Sequence, residues 1–338
     1  METTRITLTR HVRAEEQAYP DQAAELSSLL TQIAWAVKVI TDALRGAEPR
    51  DLLGGTGEVN VQGEAVKKLD VFANETFLAA FRQMGLVCAV VSEEMEEPFL
   101  LVEDCERGAY TLFVDPLDGS SNLDVNGTVG SIFSVHRRRG PGGRGDEPDL
   151  LRPGSAQVAA GYALYGPSTV LVYTAAHGVY GFTLDASIGE FRLSHDRIRI
   201  PARGRTYSAN EGNARGWSSA IRRFLEALKD PDPERGGPYS ARYSGALVAD
   251  VHRILLEGGV YLYPADPTDP RQPGGKLRLM YEAAPLAFVT EQAGGRASTG
   301  TERILAITPM SIHQRVPLII GSPEEVHLAE KFVREGAS

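Results

Sequence analysis

Two short apolar runs in the first half of the chain both end in acidic residues, and this feature strongly constrains the fold. Residues 86–91 read Leu-Val-Cys-Ala-Val-Val and are soon followed by Glu93 and Glu94. Residues 110–114 read Tyr-Thr-Leu-Phe-Val and lead directly into Asp115-Pro116-Leu117-Asp118. Nearly continuous apolar runs of this kind predict strands covered on both faces. Because open α/β sheets carry their binding residues at the carboxyl ends of strands, we expect these acids to converge in one cleft.

Four carboxylates in one cleft repel one another, and the neighbouring sequence offers too few cations to offset that repulsion. Mg²⁺ and Mn²⁺ would offset it, since both prefer oxygen ligands and commonly bridge carboxylates to substrate phosphates. The following run 119–122 (Gly-Ser-Ser-Asn) can begin a helix whose positive N-terminus accepts phosphate. Each motif alone is an everyday turn or helix start. Together they predict a metal-dependent phosphatase in which a metal-activated water attacks phosphorus.

Apolar periodicity predicts helices and strands along the rest of the chain. Spacings of three and four residues predict a helix over 21–45 and a second over 64–84. The Gly-rich stretch 54–63 lacks the Gly-Lys-Ser/Thr of a P-loop, so a mobile linker is expected there. Further strands are expected over 131–135, 158–164, 169–173, 179–184 and 260–263, and further helices over 218–229, 245–256, 280–292 and 324–335.

Length and composition indicate a globular protein of about two domains. The chain has 338 residues, 42% hydrophobic and 23% charged, and a break near 194–201 divides it into 1–197 and 198–338. Its net charge of −9 argues against general affinity for nucleic acid. Neither a secretory signal nor a membrane span is evident, and Cys88 and Cys105 are interpreted as reduced thiols. We therefore expect a soluble cytoplasmic protein with no nucleic-acid or membrane partner.

Several segments, in order along the chain, resemble the class I fructose-1,6-bisphosphatases of the lithium-sensitive sugar- and inositol-phosphatase superfamily. The superfamily signature is Asp-Pro-Leu-Asp-Gly-Ser at 115–120. The narrower family is indicated by segments 60–71, 159–166, 242–253 and 275–285. The resemblance implies a layered α-β-α-β-α sandwich, with most metal ligands and an allosteric region in the first domain and sugar-phosphate binding in the second. It also implies hydrolysis of fructose 1,6-bisphosphate to fructose 6-phosphate and phosphate, a step of gluconeogenesis.

The resemblance further assigns roles by position, with Mg²⁺, or else Mn²⁺, as the cofactor. It implies the metal ligands Glu93, Glu94, Asp115, Asp118, Glu282 and the carbonyl of Leu117. Asp70 would join Glu94 and Glu64 in orienting and deprotonating the attacking water; the family usually has aspartate at position 64. It implies the substrate-binding residues Asp118, Gly119, Ser120, Ser121, Asn210, Arg242, Tyr243, Tyr263 and Lys276. Arg242 would reach into a neighbouring subunit's site, which implies a homotetramer or at least a dimer.

Departures from the family pattern concern the substrate and the regulation. Asn213 stands where the family has a tyrosine of the distal phosphate pocket, so a seven-carbon sugar bisphosphate is the nearest competing substrate. Residues 22–25 read Gln-Ala-Ala-Glu where many members have Gly-Thr-Gly-Glu, and Ala109 replaces a lysine, although Arg137 is retained. We therefore expect weak or absent inhibition by AMP. The loop 137–153 lacks the cysteines of chloroplast members, so thiol regulation is not expected.

Three alternative functions remain open at this point. A sedoheptulose-1,7-bisphosphatase would use the same chemistry on a longer sugar. An inositol-phosphate phosphatase would not need the second phosphate pocket implied for Arg242, Tyr243 and Lys276. A non-catalytic metabolite sensor would not need the intact set of carboxylates.

Overall fold

The computed structural model describes residues 6–19, 25–47, 52–59, 65–101, 108–138, 150–231 and 237–336. Within these ranges the α-helices are α1 (Leu8–Ala18), α2 (Leu26–Arg45), α3 (Lys68–Phe81), α4 (Ser219–Lys229), α5 (Leu247–Glu257), α6 (Ala284–Gln292) and α7 (Pro323–Gly336). The strands of the first half are β1 (Gly55–Val59), β2 (Ala65–Lys67), β3 (Val87–Ser92), β4 (Phe99–Leu100), β5 (Tyr110–Asp118), β6 (Val129–Arg137), β7 (Gln157–Tyr165), β8 (Thr169–Thr174), β9 (Val179–Asp185) and β10 (Glu190–His195). Those of the second half are β11 (Thr206–Ser208), β12 (Ser240–Ala241), β13 (Val260–Tyr263), β14 (Leu277–Arg278), β15 (Arg296–Ser298), β16 (Arg315–Val316) and β17 (Leu318–Gly321).

Two larger sheets carry the architecture. The first has eight strands in the order β10-β9-β8-β7-β6-β5-β3-β4, and the second has five in the order β12-β11-β13-β17-β15. In the eight-stranded sheet, β3 and β5 are parallel neighbours, and the remaining pairs are antiparallel. The structure is therefore a mixed α/β fold, and the parallel pair of the eight-stranded sheet lies at the point where the acidic residues leave that sheet.

Three groups of buried apolar side chains define the order of the layers. Helices α1, α2 and α3 pack on one face of the eight-stranded sheet. Helices α5 and α6 lie between the two sheets, and α4 and α7 cover the outer face of the five-stranded sheet. Adjacent residues of a strand point to opposite faces, so Leu112 of β5 joins the first group and Phe113 the second. This burial on both faces explains the continuous apolar run, and the expected α-β-α-β-α sandwich is confirmed.

Most of the predicted elements are present with their ends shifted by a few residues, but three predictions were wrong in part. The Gly-rich stretch contains β1, which pairs with β2 through the backbone and therefore needs no apolar side chains. The second helix begins at Lys68, not at residue 64, because β2 precedes it. The helix expected over 280–292 starts with a π-helical turn, Leu279–Ala283. The elements that were not predicted are α1 and the strands β2, β4, β10, β11, β12, β14, β15, β16 and β17. Residues 20–24 and 60–64 lie outside the described ranges.

Two findings bear on the expectation of a soluble cytoplasmic protein. Across the described ranges, no helix is both long and apolar enough to cross a membrane. The interpretation of Cys88 as a reduced thiol was wrong, because Cys88 is buried and disulfide-bonded in this structure. The only other cysteine of the sequence, Cys105, lies outside the described ranges. Sequence spacing gave no sign of the bond, because disulfide formation depends on the distance between the two side chains in the fold.

Candidate active site

The two acidic strand ends lie side by side at one edge of the eight-stranded sheet. Strands β3 and β5 run parallel, with Val91 opposite Phe113 and Ser92 opposite Val114. The backbone N–H of Glu93 donates to the carbonyl of Val114 at 3.1 Å, so the first acidic pair leaves the sheet next to Asp115. Parallel pairing therefore brings together two segments that are separated in sequence.

The last residues of β5 are fixed by hydrogen bonds, and the turn after it by one glycine. Oδ1 of Asp115 accepts a hydrogen bond from the N–H of Leu117 at 3.1 Å, and Ser131 Oγ donates to the carbonyl of Pro116 at 2.6 Å. Gly119 has a φ of +78°, and a Cβ there would lie 2.6 Å from the Cβ of Ala246. Only glycine fits this left-handed, close-packed position without strain.

The helix expected after Gly119 is a short 3-10 helix, Ser120–Val125, and not an α-helix. Its six residues carry a smaller dipole than the prediction assumed. Aligned N–H groups next to Asp118 come from the N-terminus of α5 and not from the 3-10 helix. Leu247 N donates to Oδ1 of Asp118 at 3.2 Å, and Val248 N donates to Oδ2 at 2.8 Å. The positive end of α5 therefore orients the Asp118 carboxylate. Neither the run 115–118 nor the run 119–122 of the sequence indicated this contact.

A cavity of about 450 Å³ joins these elements to distant parts of the chain. Asp70 reaches it from α3, and Glu282 reaches it from the π-helical turn before α6. The site residues expected from sequence that line this cavity are Asp70, Glu93, Glu94, Asp115, Leu117, Asp118, Gly119, Ser120, Ser121, Tyr243, Tyr263, Lys276 and Glu282. Asn210 and Arg242 do not line it, and Glu64 lies outside the described ranges.

Burial and mutual repulsion raise the pKa of several carboxyl groups in the cavity. Burial is the largest cause for each group, followed for both Asp115 and Glu282 by the negative charge of Glu93. The pKa of Asp115 lies well above its usual value, that of Asp118 is raised to about 7, and that of Glu282 to about 8. A cluster with such pKa values does not ionise fully at neutral pH unless a cation joins it.

Asp70 is held separately, at the first turn of α3. Its Oδ2 accepts a hydrogen bond from Lys67 N at 2.9 Å, and only 3% of the residue is exposed. Burial raises its pKa to about 6, although the hydrogen bonds from Lys67 and Ser120 act in the opposite direction. A carboxylate with a pKa near 6 is a stronger base than an ordinary aspartate and can accept a proton at neutral pH.

Arg278 is a functional candidate that the sequence analysis missed. Arg278 is 1% exposed, and its Nη2 lies 3.4 Å from Oε1 of Glu93. Its backbone N–H donates to Oε2 of Glu282 at 2.5 Å. The guanidinium of Arg278 thus pairs with Glu93 and its backbone N–H holds Glu282, although one positive charge does not balance the carboxylates. The signal was available in segment 275–285, where this arginine precedes Glu282 by four residues.

The cavity residues suit a small hard cation. Oxygen atoms are the ligands that Mg²⁺ prefers, and a divalent charge favours the ionised form of crowded carboxylates. Within the described part of the chain, no group of three or more His, Cys, Asp or Glu side chains is arranged so that it could hold a metal ion by itself. Mg²⁺ does not require such a group, because it usually keeps several waters and takes one or two carboxylates together with substrate phosphates.

The distal end of the cavity is formed by Tyr243, Tyr263 and Lys276. Tyr243 is 42% exposed, and burial together with nearby Tyr263 raises its pKa to about 12, so its hydroxyl stays protonated and can donate. The side chain of Asn210 hydrogen-bonds Tyr243 and orients it from outside the cavity. Arg242 is exposed, and its guanidinium donates to the carbonyl of Ala241 at 2.7 Å. These donors are suited to the oxygens of a second phosphate.

The known proteins that this chain resembles in sequence or in structure are all described as fructose-1,6-bisphosphatases. The family model described as "Fructose-1-6-bisphosphatase, N-terminal domain" matches residues 6–196, and "Fructose-1-6-bisphosphatase, C-terminal domain" matches 200–334. A "Fructose-1,6-bisphosphatase class 1" of Trichormus variabilis is 52% identical over 98% of this chain and 93% of its own length, and one of Synechocystis is 52% identical over 97% and 93%. The crystal structure of Leishmania major fructose-1,6-bisphosphatase in holo form has a TM-score of 0.89 and 41% identity, over 98% of this chain and 99% of that one.

Proposed function

This chain belongs to the fructose-1,6-bisphosphatase family, and on that premise we propose that it hydrolyses fructose 1,6-bisphosphate to fructose 6-phosphate and phosphate. The observation that carries the proposal is the single cavity with two unlike ends. Six carboxylates, Asp70 among them, crowd one end, while Tyr243, Tyr263 and Lys276 present donors at the other. A sugar with a phosphate at each end of the molecule matches that division.

The carboxylate end would receive the phosphate that is hydrolysed. Glu93, Glu94, Asp115, Asp118 and Glu282, with the carbonyl of Leu117, would hold Mg²⁺ or Mn²⁺ there. Such a cation, when bound, neutralises phosphate charge and lowers the pKa of a coordinated water. Support for this role comes from the raised pKa values of Asp115, Asp118 and Glu282, because a bound cation would relieve the repulsion that contributes to them.

The protein groups around the reacting phosphate have separate tasks in this proposal. The Asp70 carboxylate accepts the proton of the attacking water, with Glu94 and Glu64 as the other acids proposed to orient it. The hydroxyls of Ser120 and Ser121 donate to the phosphate oxygens beside Gly119. Arg278 adds positive charge next to Glu93 and opposes the repulsion between the acids and an incoming dianion. These residues stabilise charge and positions, which is most of what phosphoryl transfer requires.

The distal end would bind the phosphate that stays on the sugar. Tyr243, Tyr263 and Lys276 hold it, and Asn210 keeps the Tyr243 ring in place. Arg242 does not line the cavity of its own chain, which is compatible with a role in a neighbouring subunit. We accordingly propose a homotetramer or at least a dimer in which Arg242 crosses the interface.

Three further parts of the proposal concern the whole chain. The boundary at 197/198 would separate the half that carries most metal ligands from the half that binds the sugar phosphate. The reaction would serve gluconeogenesis, and the protein would be cytoplasmic. In a reducing cytoplasm the Cys88 disulfide would be open to reduction, since cytosolic disulfides are usually transient.

Phosphate release from defined substrates tests the proposed function. Fructose 1,6-bisphosphate should release phosphate with Mg²⁺ and none with EDTA, because the crowded carboxylates need the cation. Inositol monophosphate should be hydrolysed poorly, since it has no second phosphate for the distal end. Release from inositol monophosphate alone would replace the proposal with the inositol phosphatase alternative. No release from either compound with Mg²⁺ present would favour a non-catalytic sensor.

A further inference from the structure

The carboxylates at the reacting end of the cavity come from segments that lie far apart in the sequence. Glu93 and Glu94 follow β3, whereas Glu282 belongs to the π-helical turn Leu279–Ala283 in the second half of the chain. Because like charges repel, the burial of these acids in one cavity tends to drive the two segments apart. Contacts between the loop after β3 and the π-helical turn must oppose that repulsion.

The contact inside the cavity is ionic. Nη2 of Arg278, the residue just before the π-helical turn, lies 3.4 Å from Oε1 of Glu93, and both residues line the cavity. A cation bound by Glu93 would compete with the guanidinium for the same carboxylate. This contact alone therefore does not keep the spacing of the two segments constant when a cation binds.

A second contact lies outside the cavity and is made by the side chain of His313. Its Nδ1 is 2.9 Å from the hydroxyl oxygen of Tyr281, and its Nε2 is 3.0 Å from the carbonyl oxygen of Glu96. Tyr281 directly precedes Glu282, and Glu96 follows Glu94 by two residues. We call this connection from Glu96 through His313 to Tyr281 the His313 bridge. None of its three residues lines the cavity.

One protonation form of the ring satisfies both hydrogen bonds of the bridge. The carbonyl of Glu96 can only accept, so Nε2 of His313 carries the hydrogen and donates it. In the neutral ring Nδ1 then accepts from the hydroxyl of Tyr281. Burial raises the pKa of Tyr281, so that hydroxyl keeps its proton and can donate. The two rings also meet edge to face, with centroids 5.9 Å apart.

Backbone pairing fixes the position of His313 itself. Strand β16, two residues after it, pairs with β14, and Arg315 lies opposite Arg278. The N–H of Leu279 donates to the carbonyl of Gln314 at 2.7 Å. The segment that carries His313 is therefore attached to the start of the π-helical turn, and its ring reaches from there to the loop after β3.

We propose that His313 is a positioning residue for the cation site, and that its bridge holds the loop carrying Glu93 and Glu94 at a fixed distance from Glu282. The inference rests on the proposed function, because it assumes that these carboxylates share a cation. His313 contacts neither the reacting phosphate nor the carboxylates. Its loss should therefore weaken cation binding and leave the chemical step nearly unchanged once the site is filled.

Binding of Mn²⁺ to the enzyme without substrate tests this inference. Mn²⁺ takes the same kind of oxygen ligands as Mg²⁺, and the electron paramagnetic resonance signal of the free ion reports the bound fraction. His313→Phe keeps a ring but removes both hydrogen bonds, and it should raise the Kd for Mn²⁺ by about 5- to 20-fold. Tyr281→Phe removes one hydroxyl and should raise it by about two- to fivefold.

A double variant and a kinetic measurement separate positioning from a general loss of stability. His313→Phe and Tyr281→Phe break the same bridge, so together they should bind Mn²⁺ within about twofold of His313→Phe alone. In both single variants the half-saturating Mg²⁺ concentration should rise, with kcat at saturating Mg²⁺ and KM for fructose 1,6-bisphosphate within about threefold of the wild type. His327→Phe, at an exposed position of α7, is the matched control and should change none of these values.

Separate results would overturn this inference and the proposed function. An unchanged Kd for Mn²⁺ in both single variants, with the far-ultraviolet circular dichroism of the wild type, contradicts the inference whether or not the Tm falls. A large fall in kcat at saturating Mg²⁺ with an unchanged Kd also contradicts it. If His313→Phe does not fold, Tyr281→Phe decides by the same criteria. A wild type that binds Mn²⁺ but releases no phosphate from fructose 1,6-bisphosphate contradicts the proposed function alone.

Discussion

The carboxylate end of the cavity is buried and held by backbone hydrogen bonds, whereas the distal end is exposed and held by side chains. Asp115 is 2% exposed and Asp118 is 8%, and backbone N–H groups fix both carboxylates. Tyr243 is 42% exposed and is oriented by one amide side chain. Charge neutralisation requires exact and rigid ligand positions, but recognition of a sugar phosphate tolerates some movement. We therefore expect substitutions at the first end to act on kcat and substitutions at the second to act on KM.

Loss of Asp118 should have the largest effect. Asp118→Ala should lower kcat by about a thousandfold or more, because several kcal/mol of charge stabilisation depend on the cation site. The measurement is phosphate release at saturating Mg²⁺. The variant also loses the acceptor for two N–H groups of α5, so its Tm should be recorded. Asp185→Ala, on the distant strand β9, is the matched control, and an active Asp118→Ala enzyme would contradict the proposed role.

Loss of the proposed base should have the next largest effect. Asp70→Asn should lower kcat by about a hundredfold to ten-thousandfold and leave KM nearly unchanged. Because burial raises the pKa of Asp70 to about 6, the ionised base is lost as the pH falls through that value. The wild-type kcat should therefore decline on the acid side of pH 6. A wild-type kcat in Asp70→Asn would show that another group accepts the proton.

A change at the distal end should act mainly on substrate binding. Lys276→Met removes a charged hydrogen-bond donor and should raise KM by about 10- to 100-fold, with kcat within about threefold of the wild type. Steady-state kinetics with fructose 1,6-bisphosphate measure both values. Lys331→Met, on the exposed side of α7, is the matched control. A fall in kcat equal to the rise in KM would remove the distinction between the two ends.

Arg242 should have a smaller effect, and one that depends on the neighbouring subunit. Arg242→Ala should raise KM severalfold with kcat retained. Mixed oligomers of Arg242→Ala and Asp118→Ala subunits should recover the wild-type KM, because the intact Arg242 of one subunit then serves the intact Asp118 of the other. No recovery in mixed oligomers, with subunit exchange verified by mass, would place Arg242 outside the partner's site.

AMP should have the smallest effect of all. Arg137 is retained, but its Nη2 donates to the hydroxyl of Tyr110 at 3.1 Å, and Ala109 supplies no cation beside it. We expect activity to change little in millimolar AMP, as measured by phosphate release. Micromolar AMP that abolishes activity would contradict this expectation.

The carboxylate end was largely predictable from sequence, and the distal end was not. Two apolar runs that end in acids indicate neighbouring strand ends, because sheets gather such residues at one edge. Glu282 comes from a π-helical turn far along the chain and Arg278 from strand β14 just before it, and π-helical turns have no clear residue signature. Tyr243, Tyr263 and Lys276 follow no local pattern, so only the family resemblance pointed to them. The hydrogen bonds from α5 to Asp118 depend on tertiary packing between the two halves of the chain.

The most direct test of the two-ended site is the fate of each phosphate. Fructose 1,6-bisphosphate should be incubated with the enzyme and Mg²⁺ in ¹⁸O-labelled water and followed by ³¹P nuclear magnetic resonance. If the carboxylate end hydrolyses one phosphate while Tyr243, Tyr263 and Lys276 retain the other, fructose 6-phosphate accumulates and the label appears only in inorganic phosphate. Accumulation of fructose 1-phosphate, or label in the sugar phosphate, would contradict the account.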